Sequence, residues 1–139
     1  MFVRVKRSVM NRTTIAIGLS LLGFGPAVAE ADQRPGAMPV SVFMAKAEAL
    51  RAQGAMALFS SDIGVLKAEV SGSAQAFRQQ VKVEAANGRP SACPPEHAAL
   101  TSDDLIAQMG SYPANARARI PVSEAVADLL RKRYPCPSR

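Results

Sequence analysis

The sequence predicts an all-α protein: a small helical domain of about four helices, the last two forming a disulfide-clasped C-terminal helical hairpin. Three observations carry that reading. Every periodic apolar segment repeats at intervals of three and four, and no alternating run exceeds about four residues, so the pattern is that of helices and not of a sheet. The cysteines, Cys93 and Cys136, stand among prolines at the two ends of the last third, in Ala92-Cys93-Pro94-Pro95 and Tyr134-Pro135-Cys136-Pro137. The first thirty residues read as an export signal, which would deliver both thiols to an oxidising compartment.

In that signal, Arg4, Lys6, Arg7 and Arg12 form a positive n-region. The apolar run Ile15 to Phe24 follows; at about ten residues it is half the roughly 20 that a membrane-spanning helix requires. Residues 1–29 are therefore expected to be a signal peptide cleaved after Ala27-Val28-Ala29, with Ala29-Glu30-Ala31 as the second site. The mature protein is expected in the periplasm, free of the membrane. Cleavage removes four of the 17 basic residues and none of the 11 acidic ones, so the net charge falls from +6 to +2. The basic character belongs mainly to the export signal and gives no warrant for nucleic-acid or anionic-membrane binding. Two cysteines in a small exported chain read as one structural disulfide. A metal site, the rival reading, finds only one histidine, His97, and no second cysteine pair.

Along the mature chain, residues 30–38 (Glu-Ala-Asp-Gln-Arg-Pro-Gly-Ala-Met) lack periodicity and read as a flexible leader, so the single helical domain is placed at 39–139. Pro39 suits the first turn of a helix whose Phe43, Ala47 and Leu50 share one face and which Gly54 ends. Ala55 to Phe59 is apolar but too brief to assign. Ser60-Ser61-Asp62 supplies N-cap chemistry for the strongest pattern in the chain, Ile63, Leu66, Val70, Ala74, Phe77, Val81 and Ala85, which stops at Asn87-Gly88. A bend is expected at Ser71-Gly72-Ser73, because glycine weakens a helix interior. After a proline-rich connector, Thr101-Ser102-Asp103-Asp104 has the capping signature of a third helix with Leu105, Met109 and Tyr112 on its buried face, stopped by Pro113. The fourth helix opens at Pro121 or Ser123, turns Val122, Val126, Leu129 and Leu130 inward, and ends in Arg131-Lys132-Arg133, which complements the helix dipole.

No catalytic constellation can be read from these residues. His97 reads as an exposed loop residue; no Ser, Thr or Cys lies in a nucleophile motif, and thiols joined in a disulfide cannot attack. Asp103 and Asp104 diverge by about 100° on a helix and are cap residues before they are an acid/base pair. With five phenylalanines, two tyrosines, no tryptophan and no glycine-rich phosphate loop, neither a base-stacking platform nor a cofactor site is predicted. What remains is binding. The connector Tyr112 to Ile120 has two readings: a solvated link whose tyrosine packs inward at the end of the Leu105, Met109 stripe, or a binding loop displayed between the two clasped helices, with Tyr112, Asn115, Arg117 and Arg119 as candidate partner-binding residues and both guanidinium forks left reachable by the intervening alanines.

The order Cys93-x-Pro95, a capped helix ending in Tyr112-Pro113, a loop, and an Ala-Val-Ala-Asp-Leu-Leu helix closing on Tyr134-Pro135-Cys136-Pro137 resembles the C-terminal half of the Rap/Tai immunity proteins. The resemblance covers residues 93–137. It implies a small, exported, mostly helical inhibitor whose partner is a type VI secretion amidase acting on peptidoglycan. The segment Leu58-Phe59-Ser60-Ser61-Asp62 is similar to one in small exported alphaproteobacterial proteins of unknown function, which implies the alternative, an exported structural or interaction protein with no toxin partner. A homodimer is compatible with either.

Overall fold

The computed structural model describes residues 34–137; the expected signal peptide and residues 30–33 of the expected leader lie outside the described residues. The architecture is all α. Its elements are α1 (Val40–Gln53), a short 3₁₀ helix (Gly54–Phe59), α2 (Ser61–Ala86), α3 (Ser102–Gly110) and α4 (Val122–Arg133), with no strand among the described residues. No helix among them is long and apolar enough to cross a membrane.

Local chemistry accounts for the helix boundaries. The Ser60 hydroxyl accepts from the Asp62 backbone N–H at 3.3 Å and opens α2, and the Asp62 carboxylate receives the Lys46 ammonium of α1 at 2.7 Å. Thr101 and Asp104 form the complete capping box of α3, each side chain bonding the other's backbone N–H. The Asp104 carboxylate also pairs with Arg133 across to α4. These bonds, those from Thr101 first and that from Arg133 second, hold the Asp104 carboxyl below the usual aspartate range.

The core is built on α4. Val122, Ala125, Val126 and Leu130 are at most 1% exposed, and the widest interface of the molecule is that of α4 with the long α2, which contributes Phe77 and Val81. Met109 of α3 closes the other side with no exposed surface. The stripes of α3 and α4 and the Phe77–Val81 part of the α2 stripe thus converge on a common centre, joined by Val40 and Phe43 of α1.

Two expectations are corrected. The described end of the expected leader is not loose: it is a strap laid across α2 and α4. The Gly36 N–H donates to the Glu69 carboxylate, Ser123 N–H donates to the Gly36 carbonyl at 3.0 Å, and Val122 N–H donates to the Met38 carbonyl at 2.8 Å. Val40 N–H completes the pairing on the Ile120 carbonyl at 2.8 Å, forming an isolated antiparallel bridge between Pro39 and Pro121. Backbone-to-backbone bonds leave no side-chain pattern in the sequence. The strap also explains Ser71-Gly72-Ser73, through which α2 runs without interruption. A Cβ on Gly72 would collide with the Pro35 ring, and one on Gly36, whose φ is +92°, would strike Ser73 and Ser123. The small residues serve close approach where a weak point was expected.

The Cys93–Cys136 disulfide forms with the Cα atoms 4.9 Å apart. Beside it the Cys93 N–H donates to the Tyr134 carbonyl at 2.8 Å, so the proline-rich connector is fastened to the end of α4 by both chain and side chain.

Candidate functional site

The four residues singled out on the α3–α4 connector separate into two kinds. The Tyr112 hydroxyl donates to the Asp128 carboxylate at 2.8 Å and accepts from the Gln108 amide at 3.0 Å. The other end of that buried amide, the Gln108 oxygen, takes the Lys132 ammonium at 2.9 Å, and Arg131 reaches Asp128 at 3.2 Å. This polar network staples α3 to α4 with its central amide satisfied at both ends. Burial, and then the neighbouring Asp128, push the Tyr112 hydroxyl up to about 12 from its ordinary 10.0.

Arg117 is likewise committed inward. Its Nε donates to the Tyr112 carbonyl at 2.9 Å and its Nη2 to the Gly110 carbonyl at 2.8 Å, satisfying carbonyls that the end of α3 leaves open. The expected reachable fork is a cap. Its backbone carbonyl also accepts from Ser41 N–H at 3.1 Å, tying the connector to the start of α1. Asn115 and Arg119 are exposed. Of the predicted group, then, two residues hold the connector's shape and two face solvent, and the structure does not converge all four on one point. His97 is exposed in its loop, and no group of three or more His, Cys, Asp or Glu side chains is placed to hold a metal among the described residues.

A larger feature borders the connector at Ala114 and Arg117. A cleft of about 1160 Å³ opens between α1 and α2, with the connector before α3 and the first turns of α3 along its floor. Phe43, Met44, Ala47 and Leu50 form one wall and Ile63, Leu66, Val70 and Ala74 the other, over Leu100, Leu105 and Ile106. The volume exceeds the roughly 300–1,000 Å³ of small-molecule sites, and the cleft is an open trough, not an enclosed chamber. The charged side chains along it are Glu48, Arg51, Lys67, Arg78 and Arg117, four cations to one carboxylate among the described residues. Arg51 and Lys67 are exposed. Arg78 lends its Nη2 to the Ala98 carbonyl at 3.3 Å, while its buried Nε has no hydrogen-bond partner among the described residues. Such an orphaned donor of a charged group is uncommon in a folded protein.

At the end of the α1–α2 pair, the 3₁₀ turn that joins them carries Met56, Leu58 and Phe59, which are 67%, 78% and 85% exposed. Three large apolar side chains displayed in succession mark an interaction surface more often than chance does. The sequence held a signal for the second feature, the apolar run Ala55 to Phe59, of which the structure buries only Ala57.

Comparison with known proteins adds no family: no family model, curated protein or solved structure matches the chain. The fold and its surfaces therefore define the molecule as a small disulfide-clasped helical domain with an open apolar cleft.

Proposed function

We propose that this protein is a small periplasmic binding protein of the inhibitor type, which holds a partner protein in the cleft between α1 and α2. The observation that supports this reading is the cleft itself. The described residues leave about 1160 Å³ of apolar trough uncovered next to exposed Met56, Leu58 and Phe59, where a protein without a partner would gain by closing it. Export is supported by the n-region, the apolar run and the Ala27-Val28-Ala29 site, and a disulfide is compatible with an oxidising periplasm. The resemblance of residues 93–137 to Rap/Tai immunity proteins makes a secreted peptidoglycan amidase the partner to test first. Of the connector residues, exposed Asn115 and Arg119 remain available to such a partner, with Tyr112 and Arg117 shaping the loop that presents them.

The test is capture of the protein from periplasm with crosslinking, followed by turbidity assays of peptidoglycan digestion by the amidase encoded nearest to it. Stoichiometric loss of amidase activity is the expected result. Full digestion in the presence of excess protein, with no amidase recovered, refutes the inhibitor role. The alternative, an exported interaction protein with no toxin partner, is favoured by the Leu58 to Asp62 segment and is the reading such a result would leave.

A further inference from the structure

We infer that the α1–α2 cleft is a groove for an acidic amphipathic helix of a partner polypeptide, and this rests on the binding role proposed above. Three properties of the trough lead to that occupant. Its walls run from Ser41 to Arg51 on α1 and from Ile63 to Arg78 on α2. At 1.5 Å per residue these are about 15 Å and 22 Å, the length of three to four helical turns. Its openness selects a helix over an acyl chain. An amphipathic helix buries one stripe and leaves its polar face in water, whereas a lipid tail in an open trough would keep one side wet. Its charges select the sign of the flanks: Arg51 and Lys67 stand exposed on opposite walls, Arg78 carries an unpaired buried donor, Arg117 adds a fourth cation, and Glu48 alone opposes them among the described residues. The apolar stripe of the incoming helix packs on Met44, Leu50, Ile63 and Val70, and its carboxylates meet Arg51 and Lys67 along the rim.

The experiment uses the purified disulfide-bonded protein, labelled with ¹⁵N, and two synthetic 14-residue helices. Both carry leucines at i, i+3, i+4 and i+7; one has glutamate and the other lysine at the flanking positions. The glutamate helix should shift the amides of residues 43–51 and 63–78, bind at least tenfold more tightly than the lysine helix, and weaken as salt is raised. Arg51→Glu with Lys67→Glu, both at exposed positions that leave the core untouched, should invert the preference. Equal binding of the two helices, or a preference unmoved by the double variant, overturns the inference while leaving a binding role intact. So does an absence of cleft shifts with either helix. Tighter occupancy by palmitate, or cleft shifts that grow with protein concentration alone, overturns it in favour of a lipid or a second copy. Failure of the binding role is read separately, from the amidase capture and digestion assay.

Discussion

Replacing Phe77 by alanine tests whether the α2–α4 interface is the structural centre of the molecule. The ring is 3% exposed, and the Arg131 guanidinium lies 5.1 Å from its centroid. Removing a buried phenylalanine ring costs about 3–5 kcal/mol through lost transfer free energy and the cavity left behind. The cation over its face adds about 0.5–1 kcal/mol, because Arg131 is partly solvated. A loss of about 4 kcal/mol is therefore expected, a large part of the roughly 5–15 kcal/mol that stabilises a domain. Urea unfolding followed by circular dichroism should show the midpoint falling by about 2–4 M at a slope of ~1–2 kcal/mol/M. Phe59→Ala is the internal control: the same deletion at a ring 85% exposed should move stability by less than about 0.5 kcal/mol. A double-mutant cycle with Arg131→Met separates the cation from the cavity, with a coupling of about 0.5–1 kcal/mol expected. If Phe77→Ala costs under about 1 kcal/mol, or no more than Phe59→Ala, the interface is not the core.

The remaining predictions concern the clasp and the connector. The disulfide closes a loop with a sequence separation of 43, so its reduction should lower stability by about 4 kcal/mol if chain entropy dominates; matching melts of oxidised and reduced protein would refute this. Arg117→Ala should cost about 1–2 kcal/mol by freeing two carbonyls at the end of α3, whereas Arg119→Ala should leave the melt unchanged, and equal effects would show that Arg117 is not a cap. The Tyr112 hydroxyl, raised to about 12, keeps a proton that the unfolded chain has released, so its contribution is whole below about pH 10 and is lost as pH rises towards 12. Two pKa units correspond to about 2.7 kcal/mol, reduced to about 1 kcal/mol by solvent screening of a partly buried ring. Tyr112→Phe should flatten the alkaline decline by that amount, and an unchanged decline would refute the assignment.

The sequence by itself determined the features that depend on neighbours in the chain. The Thr101–Asp104 capping box, the Ser60 cap, the stop at Gly54 and the stripes of α2 and α4 depend on residues a few positions apart, and each is present in the structure, whereas α3 ends at Gly110, short of the expected stop at Pro113. The cysteine pairing was legible for a different reason, since two cysteines allow only one intramolecular bond. Tertiary structure alone decided the rest. An apolar stripe such as Phe43, Ala47 and Leu50 shows which face of α1 avoids water, but not how far its axis stands from α2, and that distance makes the difference between a core and a cleft. The role of Arg117 was hidden because an alternating Arg-Ala connector reads the same whether its guanidinium reaches solvent or folds back on two carbonyls. The strap was hidden because its bonds to residues 120–123 are made by backbone groups that every residue except proline carries in full, so only the meeting of two distant segments over Gly72 reveals why that glycine is there.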